Sequence, residues 1–131
     1  MEWFGKMLLV GGGAFIGGVL RYGISAWLQD RAGAFPLATL VINLIGSVAI
    51  GVYFAKEGNQ LSGESARLFF AVGICGGFTT FSAFSWESLR LIQENRFGLA
   101  ILYVLASVVL AIGGCAVGFF LGKQLFGSVS Q

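Results

Sequence analysis

The densest group of polar residues in this chain is Gly73-Ile74-Cys75-Gly76-Gly77-Phe78-Thr79-Thr80-Phe81-Ser82-Ala83-Phe84-Ser85. It lies within an apolar run, Leu68 to Trp86, that carries no charge. Glycine and β-branched threonine both lower helix propensity. The run therefore predicts a membrane helix broken at its centre. In hydrocarbon, unwound backbone is tolerated only where protein or a water-filled cavity surrounds it. Freed carbonyls there can bind a cation, and freed amides or side chains an anion.

Other polar residues fall in apolar segments at helical spacing. Thr39, Asn43 and Ser47 lie four residues apart and share one face. Asn43 needs several hydrogen bonds inside a bilayer. Its NH2 can donate to an anion, or it can bond a neighbouring helix. Tyr103 and Ser107 form a short hydroxyl track that continues, at the same spacing, to Ala111 and Cys115. Such hydroxyls either donate to an anion or bond their own backbone. Phe78, Phe81 and Phe84 recur every third residue. Their ring edges carry positive charge and can meet an anion weakly, or the rings simply pack. Arg21, late in the first apolar segment, either attracts anions in a vestibule or snorkels to the interface. Glu87 stands three residues before Arg90, the spacing of a local ion pair, with a vestibular role as the other reading.

Composition narrows the chemistry. The 131 residues are 56% hydrophobic and 11% charged, with a net charge of +2 and no histidine. These proportions belong to integral membrane proteins. Without histidine, a Ser-His-Asp or Cys-His catalytic group is impossible, and six scattered acids make no zinc centre. No enzyme and no nucleic-acid partner are expected. Cys75 and Cys115 read as small buried hydrophobes rather than a disulfide.

Four segments are long enough to cross a bilayer, which takes about 20 residues. They run over about 3–28, 35–55, 64–92 and 97–126 of a single transmembrane domain covering 1–131. The first is read as a membrane helix, not a signal peptide, because it is long, glycine-rich and contains Arg21. Pro36 suits a first helical turn, and Gly58-Asn59 marks a polar loop. Short connections imply antiparallel neighbours. Gly13/Gly17, Gly73/Gly77 and Gly114/Gly118/Gly122 make small-xxx-small pairs in three of the segments, which favour close helix packing and oligomers. With an even number of spans, Lys6, Lys56, Arg67 and Lys123 lie on one side and Arg31, Arg90 and Arg96 on the other. Four against three gives almost no orientation bias. Two readings follow: insertion in both orientations as an antiparallel, dual-topology homodimer, or a weak bias carried by few charges.

Together, Gly17-Gly18-Val19-Leu20-Arg21-Tyr22, Thr39-Leu40-Val41-Ile42-Asn43-Leu44-Ile45-Gly46 and Gly76-Gly77-Phe78-Thr79-Thr80-Phe81-Ser82-Ala83-Phe84-Ser85 resemble the Fluc/CrcB family of bacterial fluoride channels. The resemblance covers essentially the whole chain. It implies an all-α, four-span protein of the bacterial inner membrane that pairs with an inverted second copy in the lipid bilayer and holds two fluoride pores. It implies passive export of cytoplasmic fluoride, which lowers fluoride toxicity. Phe81 and Phe84 match the aromatic pair of those pores, Asn43 the pore asparagine with Thr39 near it, Tyr103 and Ser107 the polar track, and Arg21 the vestibule arginine. The backbone carbonyls of Gly76 and Thr79 match those that hold a structural sodium ion at the dimer centre. Ala111 and Cys115 depart from the family, which can carry hydroxyls there. The rival reading is a small dual-topology, proton-coupled transporter of fluoride or drugs. A drug exporter needs a deep carboxylate, and no acid follows Glu2 in the first segment.

Overall fold

A computed structural model describes residues 2–57 and 63–127. The loop expected at Gly58-Asn59 and the last four residues of the tail lie outside the described residues. Those described are helical nearly throughout, as their unbroken hydrophobicity dictates. Helix α1 covers Glu2–Leu28, α2 Leu37–Glu57, α3 Glu64–Arg67, α4 Gly76–Phe78, α5 Phe81–Gln93 and α6 Phe97–Gly127. A π-helix, Leu68–Cys75, joins α3 to α4. Among the described residues, four stretches are long and apolar enough to span a membrane: α1, α2, Glu64–Gln93 and α6. This is an all-helical, multi-pass membrane architecture.

The connections follow local chemistry. Pro36 sits one place outside the expected first turn, and its carbonyl accepts the amide of Leu40. It thus caps α2 without needing the N–H that proline lacks. At the end of α5, Arg96 N–H returns to the Leu91 carbonyl at 2.8 Å and Asn95 N–H to that of Ile92 at 3.0 Å. Asn95 takes a positive φ of 58°. This is a Schellman stop, with asparagine in the left-handed position usually held by glycine.

Glycine decides which helices touch. A Cβ on Gly13 would strike the Phe69 carbonyl, and one on Gly17 that of Ile74. A Cβ on Gly77 would meet Ala14. On the other side of the bundle, a Cβ on Gly118 would strike the Val48 carbonyl, and one on Gly51 that of Cys115. Gly114 meets Leu44, and Gly122 meets Val52 and Ala55. In each pair the numbers rise together, so α1 runs parallel to the third span and α2 parallel to α6. Sequence neighbours are then antiparallel. Backbone contact of this kind is how helices associate where lipid offers no hydrophobic drive. The small-xxx-small pairs read from sequence are thus taken up by packing within one chain.

The exterior is apolar. Phe15, Tyr22, Phe81, Val109 and Ile112 are all more than 60% exposed. Such a surface suits a lipid environment and would aggregate in water.

Candidate functional site

The third span leaves helical geometry at two residues. Thr79 has ψ 158° and Thr80 has φ −149° and ψ 113°, both extended. The two glycines before them stay helical. The small size of Gly77 serves the approach to Ala14 of α1, while the threonines accommodate the extended backbone, which suits β-branched residues.

The freed polar groups are satisfied from α2. Asn43 Oδ1 accepts the Thr80 N–H at 2.8 Å, and Asn43 Nδ2 donates to the Thr80 carbonyl at 3.1 Å. One amide side chain thereby pairs both backbone groups of one extended residue. The Thr80 hydroxyl then caps α5 by accepting the Ala83 N–H at 3.1 Å. Gly46 allows this seating, since a Cβ there would strike the Thr79 methyl.

Two carbonyls lose their ordinary helical donors as a result. The Thr80 N–H that would return to Gly76 goes to Asn43, and the Ala83 N–H that would return to Thr79 goes to the Thr80 hydroxyl. Gly76 and Thr79 both line the adjacent cavity.

That cavity has a volume of about 450 Å³ and lies among α2, the third span and α6. Asn43, Phe81, Phe84 and Ser107, all singled out from sequence, line it. Phe81 is exposed, and its ring centroid lies 5.3 Å from that of Phe84. Phe84 in turn lies 5.4 Å from Tyr103. Phe78, the first of the phenylalanine series, is buried and lies against Gly17 of α1. Ser107 is 8% exposed, and its hydroxyl meets no partner at hydrogen-bonding geometry. Ala111 lines the cavity beyond it. The backbone of Cys115 faces Gly51 instead.

Thr39 and Tyr103 do not line the cavity. They meet on Glu87: Thr39 Oγ1 donates to Oε1 at 2.8 Å and Tyr103 Oη to Oε2 at 2.7 Å. The Glu87–Arg90 pair suggested by spacing is not formed. Arg90 reaches Glu94 at 3.6 Å instead, because Glu87 turns inward toward α2 and α6. Glu87 is half-buried and joins three helices. A sequence signal existed. Phe84, Glu87 and Leu91 lie on one helical face, and Leu91 is fully buried. Arg21 is half-buried on α1 and belongs to neither group.

The arrangement offers two phenylalanine rings, a bare hydroxyl and two carbonyls without helical donors, within spans long and apolar enough to cross a membrane. Aromatic edges and hydroxyls suit a small anion held weakly. The carbonyls suit a hard cation.

Comparison with known proteins agrees in kind. Residues 8–119 match the family described as CrcB-like protein, Camphor Resistance (CrcB). A protein of Thermus thermophilus named fluoride-specific ion channel FluC is 47% identical over 125 residues, 93% of this chain and 97% of that protein. One of the same name from Agrobacterium fabrum is 40% identical over 123 residues, 92% and 98% of the two chains. Another, fluoride-specific ion channel FluC 1 of Methanosarcina acetivorans, is 41% identical over 107 residues, 81% and 82% of the two. These relatives are named as ion channels, not enzymes. With most of its length matched by the family and by such relatives, this chain belongs to the CrcB family.

Proposed function

We propose that this protein is a fluoride-selective channel through which cytoplasmic fluoride leaves passively across the bacterial inner membrane. The observation that carries the reading is one cavity lined by Phe81, Phe84 and the buried, unpartnered Ser107 hydroxyl. An unpaired hydroxyl at membrane depth costs free energy unless something accepts its proton. Fluoride accepts strongly and is small. The ring edges dehydrate it gradually without trapping it. Fluoride enters cells as HF and ionises inside, so such a leak protects the cell.

Phe81 lines the cavity and is itself exposed. A second, inverted copy would cover it and form two pores per dimer. The sodium reading rests on the carbonyls of Gly76 and Thr79, whose helical donors are diverted. A hard monovalent cation at the dimer centre would stabilise both. The half-buried Glu87 favours one rival, proton-coupled export, since carboxylates within spans serve proton relays.

The test is fluoride loss from liposomes holding the purified protein, followed with a fluoride electrode while valinomycin carries potassium. Rapid loss without a proton gradient, and without chloride loss, is the expected result. Phe81→Ile or Phe84→Ile should abolish it with assembly retained. Loss that requires a proton gradient would replace the channel with a coupled transporter. Loss that survives both substitutions would remove the aromatic pair from the mechanism. Replacing all sodium with N-methylglucamine should weaken the dimer, and unchanged assembly would sink the cation reading.

A further inference from the structure

We propose that Ser47 is a second anion station in the cavity, on its α2 side and about two helical turns beyond Ser107. The inference rests on the channel reading. It begins with which hydroxyls are already engaged. Serine and threonine in membrane helices commonly bond back to their own turn. Ser85 does so with the Phe81 carbonyl at 2.9 Å, Ser88 with that of Phe84 at 2.7 Å, and Thr79 with that of Cys75 at 2.9 Å. Thr39 donates to Glu87. Ser47 and Ser107 line the cavity, and neither hydroxyl has a hydrogen bond among the described residues.

Their heights differ. Gly114 and Gly118 of α6 pack against Leu44 and Val48 of α2, and Cys115 of α6 against Gly51 of α2, offsets of between 64 and 70 residues. This register sets Ser107 level with about Leu40. Ser47 lies seven residues beyond that level, or about 10 Å at 1.5 Å per residue. At the height of Ser47, α6 offers only Ala111, Gly114 and Cys115, with no hydroxyl. On α2, Asn43 spends its oxygen and one of its two amide N–H groups on Thr80. Ser47 is the next side-chain donor along that face of α2, and its hydroxyl is free among the described residues. The polar path crosses from α6 to α2 where its α6 track ends. Two weak stations in series meet the requirement that a conducting site release its ion as readily as it accepts it.

The experiment measures fluoride efflux from liposomes for Ser47→Ala, Ser47→Thr and the double variant Ser47→Ala/Ala111→Ser. Loss of one hydrogen bond to an ion should slow efflux about tenfold in Ser47→Ala. Ser47→Thr keeps the hydroxyl and should keep the rate. Ala111→Ser restores a hydroxyl to the α6 wall and should recover most of the loss. Ser47→Ala at the wild-type rate, or no recovery in the double variant, would overturn the station. A second measurement separates this from the channel reading itself: the 19F linewidth of fluoride titrated into the protein in nanodiscs. If wild-type liposomes lose no fluoride, the channel reading fails. The station then stands if wild-type protein broadens the line and Ser47→Ala does not, and falls if the two broaden it equally.

Discussion

Asn43 carries the most structural consequence of any single side chain. Its spacing from Thr39 and Ser47 predicted a shared polar face, and two roles stood open: anion donor or helix-to-helix bond. The helix-to-helix bond is formed, to Thr80, and it leaves one amide N–H of Asn43, which lines the cavity, for the other role. An unsatisfied buried backbone group costs about 1–3 kcal/mol. Asn43→Leu leaves two of them and should destabilise the fold by about 2–6 kcal/mol, measured by denaturant titration in detergent. Asn43→Asp keeps an acceptor for the Thr80 N–H but, as a carboxylate, has no donor for the Thr80 carbonyl, so it should also destabilise the fold. An Asn43→Asp variant as stable as the unsubstituted protein would overturn the clamp. That Thr80 is the partner was not legible in the sequence, since the two residues are 37 positions apart.

At the scale of elements, the glycines and threonines of the third span divide their labour. Both types lower helix propensity, and sequence alone could not separate them. Gly73 and Gly77 face α1 closely enough that a side chain would collide, so they remain helical and act through size. Thr79 and Thr80 have no such constraint and leave the helix where Asn43 waits. The same logic makes a test. Gly118→Ala pushes a methyl into the Val48 carbonyl and should cost about 1–3 kcal/mol through overpacking. Gly5→Ala meets nothing within 4 Å and should be neutral or slightly stabilising, since alanine favours helix. Equal effects on the unfolding midpoint would remove close approach as the reason for these glycines.

At the scale of the whole molecule, the charges are nearly balanced between the two ends of the bundle. Lys6 pairs with Glu64 at 2.7 Å, while Lys123 lies 4.7 Å from the Phe119 ring centroid. Neither contact fixes an orientation, as exposed pairs contribute little. An inverted pair of copies needs that indifference. The prediction concerns a single cysteine placed in the exposed turn, Gln29→Cys, with Cys75 and Cys115 replaced by alanine. An impermeant maleimide should label about half of the copies from each side of the membrane. Labelling from one side only would rule out dual topology.

What the sequence by itself determined was the class of molecule: four apolar spans, helical because every backbone group in hydrocarbon must pair internally. The family motifs were legible too, being contiguous. The tertiary structure decided how separate segments use their polar groups. Which backbone groups Asn43 bonds, whether Glu87 turns to Arg90 or to Thr39 and Tyr103, and which hydroxyls stay unpaired all depend on helix register. That register comes from glycine contacts between residues tens of positions apart. Periodicity defines a face on one helix. Only packing defines what that face meets.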